Sequence, residues 1–144
     1  MKTDKGDYWE YYERDPSDLA VEDVHQVNSH AWITYHYPQF LTFHPVNEGK
    51  KHMHSALRDE QAGLKKGVSD FIILIGAGHR YPFAAIELKR TNKSGKGQST
   101  PVSDEQRDFL RGVRERGGFA AVAYGFKQFK NAVIDMVGEN STNC

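Results

Sequence analysis

Two acidic residues and one lysine stand where strand-like segments otherwise carry apolar side chains. Asp70 directly precedes the apolar run at residues 71–75, and Glu87 and Lys89 interrupt a second segment over residues 81–89. An uncompensated carboxylate in a core strand costs several kcal/mol. Carboxylates hold divalent cations, and an ammonium group stabilises developing negative charge, so this set suits phosphodiester hydrolysis.

The hairpin that joins the two segments predicts that the acids face each other. Reflection of the chain about the midpoint between Gly78 and His79, within the turn at residues 76–80, pairs Asp70 with Glu87. Opposed residues have Cβ atoms about 4.5–5.5 Å apart, where two bare carboxylates repel and a divalent cation between them binds. Strand periodicity puts Lys89 on the face of Glu87 and Leu88 on the other. The alternative is a structural network in which Lys89 pairs with one acid only.

The elements that position these residues alternate between helix and strand. Caps and apolar spacing predict helices from Ser17 or Asp18 to about residues 35–37, over 53–64, from Ser103 to the Gly117-Gly118 pair, and over 126–137. Strands are predicted over residues 40–44, 68–75, 81–89 and 119–124. The order α-β-α-β-β-α-β-α predicts an α/β fold, with an antiparallel hairpin, a parallel strand after a helical crossover, and helices on both faces of a mixed sheet.

The first helix is predicted to bury an apolar face and to leave a polar face opposite. The apolar positions are Ala20, Val24, Val27, Ala31 and Tyr35, and the polar ones are Glu22, Gln26 and Ser29. The later segment over residues 91–101 is rich in Gly, Ser and Lys and is predicted to be mobile.

Residues 1–16 form an acidic, aromatic N-terminal arm that precedes a single domain over residues 17–144. The arm shows no strand pattern, and its four rings, Tyr8, Trp9, Tyr11 and Tyr12, are expected to pack on the body or on a second subunit. The net charge of the chain is zero, but residues 1–24 hold eight acids against three bases, which leaves residues 25–144 at +5. That opposition favours a homodimer held by the arm.

Composition narrows the class of protein. No apolar stretch is long enough for a membrane span or a signal peptide, and the single cysteine, Cys144, excludes an internal disulfide. A cytoplasmic location is the expectation. The Gly76-Ala77-Gly78 turn lacks the strand–turn–helix context of a dinucleotide loop, so no nucleotide cofactor is expected.

Several short motifs together resemble a known nuclease family. They are Phe43–Gly49, Gly67–Asp70, Ile86–Lys89, and Ser103 with Gln106 ahead of a helix that Gly117-Gly118 ends. In this order they resemble the VRR-NUC (virus-type replication-repair nuclease) family of the PD-(D/E)XK superfamily, in its stand-alone phage and bacterial form, over about residues 20–125. Ser69 departs from the pattern, because the superfamily often has proline there.

The resemblance implies a restriction-endonuclease-like fold and an activity. It implies a Mg²⁺- or Mn²⁺-dependent endonuclease acting on branched DNA, above all Holliday (four-way) junctions, as a homodimer in a bacterial or phage-infected cell. Asp70, Glu87 and the backbone carbonyl of Leu88 match the metal ligands, and Lys89 matches the motif lysine. Glu22 matches a first-helix glutamate that faces the site and is a further candidate ligand. Gln106 matches a helix glutamine that orients the site.

Three alternatives stay open beside that interpretation. The chain could be a nuclease of the same superfamily that acts on flaps or ordinary duplex, or a non-catalytic DNA-binding or assembly module. Glu22 could be a solvated helix residue, and Gln106 could serve only the helix cap. The expected DNA contacts are Asn47, Lys50, Lys51, Lys65, Lys66, Arg90, Lys93 and Lys96, for which a solvated surface is the competing interpretation.

Overall fold

The strand-like segments form one mixed sheet in a computed structural model, which describes residues 1–45, 58 and 61–142. Within these residues the strands are β1 (Lys2–Asp4), β2 (Trp9–Tyr11), β3 (Leu41–Phe43), β4 (Phe71–Leu74), β5 (Phe83–Lys89) and β6 (Phe119–Tyr124). The helices are α1 (Glu22–His36), α2 (Asp104–Glu115) and α3 (Phe126–Thr142). None of these helices has the length and apolar character that crossing a membrane requires. Most of the predicted 53–64 helix lies outside the described residues.

The sheet has the strand order β1-β2-β6-β5-β4-β3. The hairpin of β4 and β5 is antiparallel, and its register pairs Phe71 with Ile86. One step further along this register places Asp70 opposite Glu87, as predicted. Strand β6 follows the α2 crossover and pairs with β5 in parallel, which confirms the mixed α/β sheet.

Helices cover both faces of the sheet. On one face, α1 and α3 pack over the side chains of Ile86 and Leu88. On the other face, α2 packs through Leu110 over Ala85. Because side chains alternate along a strand, Glu87 and Lys89 share the face of Ala85, and α2 is the helix that lies over them.

The N-terminal segment contributes two strands that the sequence analysis does not predict, and the element order therefore begins with two strands. Strand β2 pairs in parallel with β6, so that Trp9 lies opposite Ala121 and Tyr11 opposite Ala123. Tyr8 and Tyr11 are buried within the same chain. The expectation that this segment has no strand is wrong. The signal is present but short: its rings alternate between the two faces, and the small alanines of β6 leave room for them.

The acids of the N-terminal segment form ion pairs with basic residues later in the same chain. Arg114 donates to Asp4 at 2.8 Å, and Arg111 donates to Asp7 at 3.0 Å. Both arginines lie on α2, whose cations thereby fasten the N-terminal strands to the body. The arm's rings and charges are therefore used inside the fold, and the idea that they anchor a second subunit is not supported.

Tyr11 provides a test of this role for the N-terminal strands. Its ring is 2% exposed, and its hydroxyl donates to Asp135 at 2.9 Å. We expect Tyr11→Ala to lower the free energy of unfolding by about 3–5 kcal/mol and Tyr11→Phe by about 1 kcal/mol, measured by urea denaturation. Ile134→Ala serves as the control, because that side chain on α3 is 52% exposed. Equal losses for Tyr11→Ala and Ile134→Ala would contradict the assignment.

Helix α1 presents the opposite face from the one predicted. Its buried residues are His25, Ser29 and Ile33, whereas Val27 and Tyr35 are exposed. The cause is tertiary: the His25 ring accepts a hydrogen bond from the backbone N–H of Phe126 at 2.9 Å. Apolar spacing alone could not reveal that contact, so the predicted core face Ala20, Val24, Val27, Ala31 and Tyr35 is wrong.

The 91–101 segment is held down at both ends, contrary to the predicted mobility. Thr91, Asn92 and Ser99 are buried. The N–H of Ser99 donates to the carbonyl of Asn92 at 2.8 Å, which closes the loop. A polar segment is expected to be mobile when its polar groups bond only to water. Here the groups at its two ends bond to the protein instead.

Candidate active site

The two carboxylates line a cavity of about 520 Å³ on the α2 face of the sheet. Asp70 lies just before β4, and its Oδ2 accepts a hydrogen bond from the N–H of Leu88 at 2.7 Å. Glu87 projects from the centre of β5, and its Oε2 accepts from the side-chain amide of Gln106 at 2.9 Å. Hairpin register and one helix therefore fix both acids.

Burial makes these carboxyl groups hard to ionise, and the charge of Asp70 adds to this effect at Glu87 and Glu22. Burial, and then the nearby Asp70 carboxylate, raise the pKa of Glu87 to about 9. Burial likewise raises the pKa of Asp70, against the opposing effect of the Leu88 N–H. The pKa of Glu22 is raised too, by burial and then by Asp70. A cation bound in the cavity that these three acids line would favour their ionised forms.

Lys89 is almost completely buried, at 2% exposure. Its ammonium donates to the Thr100 hydroxyl at 3.2 Å, to the Pro101 carbonyl at 3.3 Å and to the Gln106 side-chain oxygen at 3.2 Å. It lies 4.0 Å from Glu87 Oε2. These bonds are at the long end of the normal range, so a substrate oxygen could replace one of them at modest cost.

Gln106 serves the helix cap and the site together. The Ser103 hydroxyl accepts from the N–H of Gln106 at 3.1 Å, and the Gln106 side-chain oxygen accepts from the N–H of Ser103 at 2.9 Å. That oxygen also accepts from Lys89, while the amide nitrogen donates to Glu87. The predicted capping box is thus confirmed, and the interpretation that Gln106 only caps the helix is wrong.

Glu22 and His44 reach the same cavity from two other elements. Glu22 is the first residue of α1, so the reversed face of that helix still directs it to the site. The Nδ1 atom of His44 donates to the Asp70 carbonyl at 2.6 Å, since a carbonyl only accepts. His44 therefore ties the end of β3 to the turn that carries Asp70, a role that the sequence analysis did not assign.

The loop before Asp70 lies directly against the start of α2. Gly67 has φ +79°, and a Cβ atom there would lie only 2.3 Å from the backbone of Glu105. Glycine is therefore required both by the backbone conformation and by the close approach. The motif containing Gly67 signalled this position, but only the tertiary structure shows that the contact aligns Asp70 with Gln106.

The donor set suits a magnesium ion. Glu87 Oε1 is buried and has no hydrogen-bond partner among the described residues, which leaves one carboxylate oxygen for a ligand. The N–H and carbonyl of a strand residue point to the same side. Because the Leu88 N–H points to Asp70, the Leu88 carbonyl does so too. No group of three or more His, Cys, Asp or Glu side chains in the described ranges forms a metal cluster, but Mg²⁺ commonly uses one or two carboxylates and retains water.

The predicted DNA contacts separate into three groups. Arg90 and Lys93 are engaged within the protein: Arg90 donates to the Leu19 carbonyl at 2.8 Å, and Lys93 pairs with Glu10 at 2.8 Å. Lys65, Lys66 and Lys96 are exposed, and Lys66 lines the cavity that holds the acids. Asn47, Lys50 and Lys51 lie outside the described residues.

The raised carboxyl pKa values predict an unusual pH dependence of stability. The pKa of Glu87 in the folded chain, about 9, exceeds the ordinary value of 4.5. The protonated carboxyl therefore stabilises the fold fully below about pH 4.5, and this contribution is lost as the pH rises through 9. In EDTA we expect the free energy of unfolding to fall between pH 7 and pH 9 by up to about 1.4 kcal/mol per pH unit.

Urea denaturation of three proteins over that range tests the expectation. Glu87→Gln should flatten the pH profile, while Glu115→Gln, at an exposed position on α2, should retain it. The same slope in the wild type and in Glu87→Gln would show that Glu87 titrates normally.

Comparisons with known proteins identify a matching family model and a similar fold. The sequence profile of the VRR-NUC domain matches residues 22–127. A solved structure titled "VRR_NUC domain protein" is similar in fold, with a TM-score of 0.66 and 19% sequence identity, over 84% of this chain and 91% of that one. Among curated proteins, no sequence matches significantly.

Proposed function

The chain belongs to the VRR-NUC domain family, and from that membership and the geometry of its acidic cavity we propose that it is a Mg²⁺-dependent endonuclease for branched DNA. The family is one of nucleases, which supports a nuclease domain that acts on DNA. The metal dependence and the preference for four-way junctions are our proposal. The observation that carries it is an opposed pair of carboxylates, of which Glu87 is buried with one oxygen unpartnered among the described residues, beside the buried Lys89.

In the proposed site, Asp70, Glu87 and the Leu88 carbonyl hold Mg²⁺, for which Mn²⁺ substitutes, and Glu22 is a further candidate ligand. When bound, the cation polarises the phosphate and lowers the pKa of an attacking water. The raised pKa values of Asp70 and Glu87 fit this role, because metal binding then releases protons and strengthens with pH.

The remaining site residues act on the substrate and on one another. Lys89 exchanges one of its three long hydrogen bonds for a phosphate oxygen and stabilises the charge that develops there. Gln106 keeps Lys89 and Glu87 in register, because its amide bonds to both. The ammonium is thereby prepositioned, and little reorganisation is required at the moment of reaction.

Two copies of the chain would present two such sites to a substrate with two-fold symmetry. We propose a homodimer that acts in the cytoplasm of a bacterial or phage-infected cell. An exposed apolar stripe on α1, formed by Val24, Val27, Ala31 and Tyr35, supports the proposal. It replaces the N-terminal rings as the candidate contact. Light scattering on the Val27→Asp variant tests this contact. If the variant has the same mass in solution as the wild-type assembly, the stripe is excluded as the dimer contact.

A gel assay on matched four-way, flap and linear DNA tests the activity. We expect Mg²⁺ and Mn²⁺ to support cleavage, fastest on the four-way junction, and EDTA to stop it. Equal cleavage of flaps or linear duplex would replace the junction preference with the broader superfamily activity. Binding of DNA without cleavage in any metal would favour a non-catalytic module.

The exposed lysines beside the cavity should supply affinity without selectivity. We expect Lys65→Gln with Lys66→Gln to weaken binding of all three DNA shapes alike and to reduce the slope of log affinity against log salt by about one to two. Fluorescence anisotropy over a salt series measures both quantities. Lys127→Gln is the matched control, because that side chain is exposed on α3. A loss confined to the junction would mean that the pair reads shape.

A further inference from the structure

Residues 90–92, directly after Lys89 of β5, form hydrogen bonds to the segment that leads into α1. Arg90 donates to the carbonyls of Leu19 and Ala20 at 2.8 Å and 3.2 Å. The Thr91 hydroxyl donates to an Asp18 carboxylate oxygen at 2.6 Å. We call this group, residues 90–92 with residues 15–20, the clasp.

Asn92 completes the clasp through backbone contacts. Its side-chain amide donates to the carbonyl of Asp15 at 2.8 Å, and its side-chain oxygen accepts from the N–H of Asp15 at 2.8 Å. The amide also donates to the Asp18 carbonyl at 3.2 Å. Thr91 and Asn92 are 6% and 2% exposed. Buried bonds of this kind hold two segments at a fixed separation.

The clasp matters because α1 has no cap of its own. The residue at its N-cap position is Val21, and no side chain there bonds to the first turn. The next residue, Glu22, lines the cavity with the two acids. The position of the Glu22 carboxylate therefore depends on what holds the preceding segment, and in the described chain that holder is the clasp.

A second contact fixes the other side of the same helical turn. The His25 ring accepts from the N–H of Phe126, and its Nε2 lies 3.5 Å from the Thr91 hydroxyl. Gly125 leaves the space that this packing needs, since a Cβ atom there would lie 2.3 Å from the Thr91 hydroxyl oxygen. The first turn of α1 is thus held between the end of β5 and the start of α3.

We infer that Thr91 and Asn92 are positioning residues that set the distance between Glu22 and the metal-binding acids. One continuous segment then has both functions. Glu87 and Lys89 of β5 face the cavity, and residues 90–92 directly after the strand hold the helix that carries Glu22. The inference rests on the proposed function. It predicts that damage to the clasp acts on metal binding through Glu22 and through no other residue.

A double-mutant cycle on the full chain tests the inference. Mn²⁺ affinity is measured by electron paramagnetic resonance for the wild type, Thr91→Val, Glu22→Gln and the double variant, and kcat and KM are measured on four-way DNA. We expect Thr91→Val to weaken Mn²⁺ binding about tenfold and to lower kcat with KM nearly unchanged. In the Glu22→Gln background, Thr91→Val should change neither quantity further.

Three further variants separate positioning from folding. Thr91→Ser keeps the hydroxyl and should restore the wild-type Mn²⁺ affinity. Asp18→Asn is a milder change that weakens the same bond, and it takes the place of Thr91→Val if that protein does not fold. Thr34→Val, on the exposed face of α1, controls for a β-branched change and should behave as the wild type.

The outcomes are distinct. Equal effects of Thr91→Val with and without Glu22 would overturn the positioning role and leave the nuclease proposal intact. An unchanged Mn²⁺ affinity in a folded Thr91→Val protein would overturn it as well. If the wild type binds no Mn²⁺, or if Glu87→Gln binds Mn²⁺ as the wild type does, the proposed metal site fails. The inference built on that site then fails as well.

Discussion

We expect Asp70→Asn and Glu87→Gln each to reduce DNA cleavage to the background rate while the protein stays folded. The physical reason is the direct opposition of the two carboxylates across the hairpin, where both charges are needed to hold a divalent cation. Each amide keeps the acceptor that the neighbouring N–H requires, from Leu88 for position 70 and from Gln106 for position 87. The variants therefore remove charge and retain shape.

Two measurements check this expectation besides the rate. In EDTA at pH 8 the folded wild type must keep a proton on the carboxyl pair, which the amide does not require, so the melting temperature of each variant should be equal or higher. Each variant should also bind DNA more tightly, because it lowers the negative charge that the pair can present to the phosphates. Glu115→Gln is the matched control for an acid-to-amide change on the surface. Near-normal cleavage by either site variant would remove the metal-site proposal.

Lys89→Ala should lower kcat by about 10²–10³, the loss typical of one transition-state donor. The ammonium is buried and already oriented by Thr100, Pro101 and Gln106. Its contribution is therefore expected in the rate and not in the affinity for DNA. Single-turnover cleavage on four-way DNA, with binding measured separately, distinguishes the two.

Two conservative variants refine the test of Lys89. Lys89→Met fills the space without the charge and should be as slow as Lys89→Ala, which separates loss of the donor from loss of packing. Lys89→Arg should rescue poorly, because a planar fork of five donors does not match three acceptors arranged around one ammonium. A change in affinity alone would make Lys89 a phosphate clamp and would contradict its proposed role in the transition state.

Tertiary packing decided features that periodicity could not show. The exposed stripe on α1 has regular apolar spacing, yet the helix turns His25 and Ser29 to the interior, because the backbone of α3 supplies a donor to the His25 ring. The polar loop after β5 is held by Asn92 in contacts some 77 residues apart along the chain. No local pattern predicts a partner at that separation.

The N-terminal strands belong to the same category. Strands of three residues carry too little alternation to be recognised, and β2 exists because the alanines of β6 admit its rings. Lys93 pairs with Glu10, and Arg90 donates to the Leu19 carbonyl. Their positions in a basic stretch had instead indicated DNA contacts. A lysine or arginine is available to DNA only where no acid or carbonyl of the folded chain already binds it.

Residue types and their local spacing were enough to predict the candidate site and the strands that carry it. The order of Asp70, Glu87 and Lys89, their shared face and their opposition follow from strand periodicity and one hairpin register, and the structure reproduces that register. The capping box that brings Gln106 to the site is likewise local. The positions of the Glu22 carboxylate and the Lys89 ammonium could be read from the folded chain alone. The segment before Glu22 is held by contacts some 70 residues away, and Lys89 is held by the loop and the helix start that follow β5. No periodic pattern records either set of contacts.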